Sequence, residues 1–274
     1  MDSGTLQLST LKLNTLKLNI EGPLATVTLD RPAARNAFNE DSVAELAHVF
    51  GHLGRSAALR VIVLAANGPA FCAGADLHYM RRMAAYSEAE NQADALQLAS
   101  MLRTIYLCPK PVLARVHGDC YAGGMGLAAA CDIIVASEDA GFCLSEVKLG
   151  LIPATIAPYV LRAMGENAAR RYCLTGERFT AREAHRLGMV HEVAGPDALA
   201  ATVARLTSAL AANSPHAVQQ AKLLLREVAG RPLDDALLAD TASRIARIRA
   251  SEQGREGVQA FLDKRKPLWL DAGQ

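Results

Sequence analysis

The run Val61-Ile62-Val63-Leu64-Ala65-Ala66 is apolar at every position and stops at Asn67-Gly68-Pro69. A strand with one face in water alternates polar with apolar residues, whereas a continuously apolar strand is buried on both faces. Val112 to Val116 reads the same way after Pro109 and Pro111, and Asp132-Ile133-Ile134-Val135-Ala136 reads as a further strand. Ahead of them, Ala25, Val27 and Leu29 alternate until Asp30-Arg31-Pro32 ends the run. Helical patterns lie between these strands. Asn39 is placed to cap a helix with Glu40 and Asp41 in its first turn and Val43, Leu46, Ala47, Phe50 and Leu53 at helical spacing. Ser87 to Leu107 reads as a second helix, and Leu127 to Cys131 as a short apolar one. This β-then-α order predicts an α/β fold of parallel strands joined by helical crossovers.

Beyond that core, Thr180-Ala181-Arg182-Glu183 has the form of a capping box, opening a helix that stops near Leu187-Gly188. From about Pro196 only helical signals remain. The segments around Leu199 to Leu210, Ala217 to Val228 and Leu233 to Phe261 are amphipathic, so their apolar faces need a partner, either the core or another subunit. At the other end, Thr10-Leu11-Lys12-Leu13-Asn14 is repeated as Thr15-Leu16-Lys17-Leu18-Asn19 with strand-like alternation, which predicts an edge strand behind a loose leader.

Two segments put small residues where an apolar stretch meets a helix start: Phe71-Cys72-Ala73-Gly74-Ala75-Asp76-Leu77, and the loop from Gly118 to Gly126 that includes Tyr121-Ala122-Gly123-Gly124-Met125-Gly126. Backbone N–H groups at such turns are able to converge on one oxygen and stabilise negative charge there. Glu146, in Leu144-Ser145-Glu146-Val147, is the acid a short way downstream. A run such as Gly123-Gly124-Met125-Gly126 taken alone is more often a tight turn or a close helix approach than a catalytic loop. It is not a dinucleotide fingerprint, and no Walker-type lysine accompanies it.

With 274 residues, half of them apolar, and a net charge of +1, the chain has no broad basic face, so nucleic acid is not an expected partner. No apolar stretch nears the roughly 20 residues that cross a bilayer, and no basic-then-apolar leader begins the chain, which predicts a cytoplasmic protein without membrane attachment. The cysteines Cys72, Cys108, Cys120, Cys131, Cys143 and Cys173 form no C-x-x-C pair and have no histidine at metal-ligand spacing, so most read as small buried side chains and no metal is expected. His48, His52, His117, His185 and His191 read as structural or surface groups, and Asp132 as a tether between a helix and a strand end.

Several ordered motifs then resemble the crotonase, or enoyl-CoA hydratase/isomerase, superfamily over nearly the whole chain. They are Arg31-Pro32 with Asn36-Ala37-Phe38, the Ala70 to Leu77 segment, the Gly118 to Gly126 loop with Cys131-Asp132-Ile133-Ile134, Glu146 with Leu149-Gly150-Leu151-Ile152-Pro153, Leu174-Thr175-Gly176, and Ala260-Phe261-Leu262-Asp263-Lys264-Arg265. The resemblance implies an N-terminal leader and edge strand over 1–20, a ββα-spiral core over 21–196, and a helical region over 197–274 that makes trimers or dimers of trimers. It implies an acyl-CoA thioester as substrate, with coenzyme A carried by that substrate and no separate cofactor. The N–H groups of Ala75 and Gly123 would hold the thioester oxygen. Ala73 and Ala75, with Asp76, Leu77 and His78, would line the CoA path, and Phe261 and Lys264 would approach CoA from a neighbouring region or subunit. Glu146 falls on the second of the two glutamates of the family's hydratases.

The first of those glutamates is missing, because Gly126 stands in its place, and Ala154-Thr155-Ile156-Ala157-Pro158 replaces a glycine-rich run of many relatives. Together with Arg81-Arg82-Met83-Ala84 and the segment around Glu146, these departures resemble the bacterial hydratases of methylglutaconyl-CoA and isohexenylglutaconyl-CoA, which are branched, carboxylated enoyl thioesters. His78, Arg81, Arg82 and Arg115 are the candidate cations for such a carboxylate, with the alternative that Arg81 and Arg82 form a solvated helix face or meet the CoA phosphates. Thr155 and Tyr159 are candidates for the acyl pocket. Three readings stand open at this point. In the first, Glu146 alone, or with a second group, hydrates an enoyl-CoA. In the second, it shifts a double bond as a Δ3-Δ2 isomerase. In the third, the chain is an acyl-CoA-binding or RNA-associated relative with no turnover.

Overall fold

The computed structural model describes residues 12–270. After the strands β1 (Leu16–Glu21) and β2 (Leu24–Leu29) comes the helix α1 (Glu40–Arg55), then β3 (Val61–Ala66), β4 (Ala70–Cys72), α2 (Leu77–Met83) and α3 (Glu88–Tyr106). The chain continues through β5 (Val112–Val116), β6 (Asp119–Tyr121), α4 (Gly123–Ala129), β7 (Ile133–Ser137), β8 (Gly141–Cys143), α5 (Ala157–Thr175), β9 (Arg178–Thr180), α6 (Ala181–Arg186) and β10 (Glu192–Ala194). Four helices close it: α7 (Leu199–Ala212), α8 (Pro215–Val228), α9 (Asp235–Ala250) and α10 (Glu252–Leu262).

The strands form two sheets, β1-β2-β3-β5-β7-β10 and β4-β6-β8-β9. Strands β3, β5 and β7 enter the larger sheet, and the short strands that follow them, β4, β6 and β8, enter the smaller one. Each such pair is followed by a helix, so the chain winds as a spiral of β-β-α turns. The pairings β3 with β5, β5 with β7, β4 with β6 and β6 with β8 are all parallel. The apolar character of β3 follows from its position: Ile62, Leu64 and Ala66 enter the main core, while Val63 and Ala65 meet Leu199 and Val203 of α7 on the other face.

Local signals behave as their chemistry dictates. The Asn39 side chain accepts from the Ser42 N–H at the start of α1, and Ser87 opens α3 with a complete capping box closed by Glu90. The second copy of the duplicated pentapeptide supplies most of β1, which is an edge strand antiparallel to β2; the first copy falls partly outside the described residues. The Asp132 carboxylate accepts from the Val112 N–H at 2.7 Å and from Lys222 Nζ at 2.6 Å, tying the start of β5 to α8.

Three expectations need correction. The Gly118 to Gly126 segment is not a loop: it holds β6 and the start of α4, so the helix expected at Leu127 begins at Gly123. Glycine is a poor helix former, but close packing around this helix overrides propensity. The single helical stretch from Leu233 to Phe261 is two helices, because the Ser251 hydroxyl donates to the Ile248 carbonyl and accepts from the Gly254 N–H, ending α9 and opening α10. At Thr180 only half the capping box forms. Thr180 accepts from the Glu183 N–H, but the Glu183 carboxylate is held by Arg186 and the Tyr172 hydroxyl.

No helix among the described residues is long and apolar enough to cross a membrane.

Candidate active site

The first small-residue turn follows β4. Its backbone is threaded against the Asn36 to Phe38 segment: the Ala73 N–H donates to the Arg35 carbonyl at 3.1 Å, the Phe38 N–H to the Gly74 carbonyl at 2.7 Å, and the Asp76 N–H to the Phe38 carbonyl at 2.8 Å. Because Gly74 and Asp76, on either side of Ala75, bond to Phe38, the Ala75 N–H points away from that partner, at an exposed position. Gly74 has φ 97, a conformation that suits glycine. Asp76 then caps α2, accepting from the N–H groups of His78 at 2.8 Å and Tyr79 at 3.3 Å and pairing with Arg31 at 2.8 Å. Burial pushes this carboxyl up in pKa, but Arg31 and the two N–H donors outweigh it and hold the group below its ordinary value.

The second turn follows β6. Its Ala122 N–H donates to the Cys143 carbonyl at 2.8 Å, and Ala122 sits at φ 46, ψ −118, a strained conformation for a residue with a side chain. That twist turns the chain abruptly into α4, whose first N–H groups, starting with Gly123, have no acceptor within the helix. The two turns touch. A Cβ on Gly74 would lie 3.1 Å from the Ala122 Cβ and 4.0 Å from the Gly123 nitrogen, and a Cβ on Gly124 would overlap the Cys72 carbonyl. Close approach of backbone to backbone is therefore what the glycines permit, and it brings the N–H groups of Ala75 and Gly123 into one small area.

Glu146 follows the strand next in the sheet to the one that leads into the second turn. β8 runs parallel to β6 with Tyr121 paired to Cys143, and a short 3₁₀ turn over Glu146–Leu149 follows, closed by Gly150 at φ 74. The Glu146 side chain is half-buried, and its Oε2 is buried with no hydrogen-bond partner. Burial raises its pKa above the ordinary carboxylate value, offset only in part by its own backbone N–H. A carboxylate with one buried, unsatisfied oxygen is expected where a substrate completes the hydrogen bonding.

The family model for enoyl-CoA hydratase/isomerase matches residues 19–272. The chain belongs to that family. An enoyl-CoA hydratase from Shewanella pealeana superposes with a TM-score of 0.93 at 42% identity, covering 98% of this chain and 100% of the other. Among sequence relatives, a mevalonyl-coenzyme A hydratase of Aspergillus fumigatus is 35% identical over 89% of this chain and 90% of its own length. A 2,3-dehydroadipyl-CoA hydratase of Escherichia coli is 34% identical over 88% and 92% respectively. The spiral of β-β-α turns with its helical C-terminal region is accordingly the crotonase fold.

Within this crotonase the candidate residues divide. Ala75 and Gly123 lie on two turns that touch, and Glu146 follows β8, the strand paired to the one that leads into the second turn. Leu77 and His78 are exposed at the start of α2 beside the first turn, and Ala73 is half-buried with its N–H already used. The Asp76 carboxylate is engaged by α2 and Arg31, so it holds the turn in shape. Phe261, 83% exposed, and Lys264 lie at the end of α10, which packs chiefly on α8 and α9, so this protomer does not bring them to the two turns.

Of the cations, Arg82 pairs with Glu40. Arg115 shares the face of β5 with Leu113, which packs toward α7 on the side opposite the main core. No ion pair engages His78 or Arg81 among the described residues. Tyr159 is half-buried with its ring edge-on to Tyr106 at 5.4 Å. Cys72, Cys108, Cys120 and Cys143 are buried, and no cluster of three or more potential metal ligands occurs among the described residues.

Sequence reasoning passed over three contributors. Arg31 and Phe38 belong to recognised motifs, yet their contacts with Asp76 and Ala75 span about forty residues of sequence. Ile156, 2% exposed, lies directly over Gly126, and the adjacency of those two unusual positions has no local signature.

Proposed function

We propose that this crotonase is an enoyl-CoA hydratase that adds water across the α,β double bond of an acyl-CoA, preferring a branched acyl group with a distal carboxylate. The observation that carries the reading is the buried, unpartnered Oε2 of Glu146, which follows β8, the strand paired to the one that leads into the turn of Gly123. The Glu146 carboxylate takes a proton from water as the water oxygen bonds to the β-carbon. The double-bond electron pair shifts through the α-carbon to the thioester oxygen, where the two N–H groups stabilise the enolate. The α-carbon then takes the proton from Glu146, leaving a 3-hydroxyacyl thioester and a regenerated carboxylate. Loss of one such donor in other enzymes costs about 3–4 kcal/mol of barrier. Coenzyme A belongs to the substrate, and this scheme uses no other cofactor.

The finer substrate class is supported by the names of two relatives, since mevalonyl-CoA is branched at its third carbon and 2,3-dehydroadipyl-CoA ends in a carboxylate. His78 and Arg81 are the candidate cations that remain. A trimer or hexamer accords with the apolar side chains that α8, α9 and α10 leave exposed, among them Leu225, Leu238, Val258 and Phe261.

The test is an assay of purified protein on crotonyl-CoA, 3-methylglutaconyl-CoA and a β,γ-enoyl-CoA, following enoyl absorbance and product mass. Water gained mainly on the methylglutaconyl thioester supports the full reading, and water gained mainly on crotonyl-CoA removes the substrate class. Mass-neutral conversion of the β,γ substrate alone makes the protein an isomerase. Silence on all three, with acyl-CoA binding retained, makes it a binding protein.

A further inference from the structure

Gly126 lies three residues after Gly123 in α4, so it shares the helix face that presents the oxyanion N–H to the reacting thioester. On the hydratase reading, an acid at this position would start from that face. Ile156 prevents it. A Cβ built on Gly126 falls inside contact distance of the Ile156 Cγ2, lies 2.5 Å from the Ile156 Cβ, and reaches an ordinary 3.5 Å only at the Cα.

Ile156 has little freedom to withdraw. It is β-branched and 2% exposed. Its backbone is fixed at the start of α5, where the Tyr159 and Val160 N–H groups donate to its carbonyl at 3.0 and 3.1 Å and Pro158 follows two residues on. Both atoms that would collide stand at or next to the branch point, so no rotamer clears the space; only the loss of the Cβ does.

We propose that Gly126 and Ile156 are a matched pair: Ile156 is a positioning residue that closes the α4 side of the acyl site with methyl groups, keeping a second acid out and leaving Glu146 to move both protons. Resting on the hydratase reading, this makes the single-carboxylate site a built feature of the packing, and not a site from which an acid is simply missing.

The pairing predicts an asymmetry that volume alone does not. Thermal unfolding of wild type, G126A, I156A, I156G, G126A/I156A and G126A/I156G reads it without any substrate. G126A is expected to lower Tm by more than about 5 °C in the wild-type and I156A backgrounds, and by less than about 2 °C in the I156G background. A second arm measures kcat/KM against pH for wild type, I156G, G126E and G126E/I156G on the substrate that wild type turns over. Wild type and I156G should show one ionisation, and G126E/I156G should gain a second. G126E should lose soluble folded protein.

The proposal is overturned if G126A costs the same in every background, if alanine at 156 rescues as well as glycine, or if G126E folds like wild type and shows two ionisations. Should wild type turn over no enoyl-CoA, the hydratase reading fails while the thermal cycle still decides the pairing.

Discussion

Asp76 follows β4 and Glu146 follows β8, the two strands that flank β6 in the smaller sheet. Both are acids at the start of short helical turns, and their surroundings drive them in opposite directions. Asp76 has Arg31 and two helix N–H donors on its oxygens and sits below its ordinary pKa. Glu146 has a buried oxygen with no partner and sits above its own. A carboxylate saturated by the chain can only hold the chain in place, whereas one left unsatisfied is available to something the chain does not contain. The difference separates an acid that the chain itself satisfies from one that it leaves available, the one proposed to move protons.

The sharpest way to break this contrast is to neutralise each acid. Glu146→Gln is expected to lower kcat by about 10³-fold or more while acyl-CoA affinity, read by calorimetry, stays near wild type; unchanged turnover would end the catalytic assignment. Asp76→Ala should act through the fold instead. Losing the cap and leaving Arg31 without its carboxylate costs about 1–3 kcal/mol in thermal or urea unfolding, and turnover falls by about 10²-fold as the Ala75 N–H loses its aim. Full turnover at unchanged stability would show that Asp76 does not hold the turn.

The pH dependence sharpens the contrast further. Glu146 must be ionised to take the first proton, so kcat/KM should rise with pH through one ionisation that lies above the ordinary glutamate value of 4.5. The smallest effect is on stability. A group whose pKa is raised by folding binds its proton more tightly in the folded state, so its contribution is fully present below the ordinary value and is lost as pH rises through the folded one. Glu146 therefore opposes folding at neutral pH, and Glu146→Gln should melt at or up to about 3 °C above wild type. The sign at Asp76 is reversed. Its depressed pKa stabilises the fold above the ordinary value of 3.8, and that contribution is lost as pH falls through the folded one.

Much of this molecule is written locally. The unbroken apolar run of β3, the Asn39 and Ser87 caps and the amphipathic C-terminal helices are periodicities or short-range hydrogen bonds that a linear sequence carries in full. The roles proposed for Ala75, Gly123 and Glu146 are also legible there, because each lies in a short ordered motif whose residue types suit that role. The ion pair of Asp76 with Arg31 was not legible for the opposite reason: the partner is distant in sequence, and ion pairing has no periodicity.

The linear order of residues is enough to fix the β-then-α order of the spiral, and it names the acid and the two donors proposed for the site. The tertiary structure decided that Gly123 starts a helix, that Asp76 is used up within the chain, that Glu146 keeps an unsatisfied oxygen, and that Ile156 lies over Gly126. Each of these depends on the distance between elements whose separation is set by the sheets, and steric exclusion and desolvation act through that distance alone.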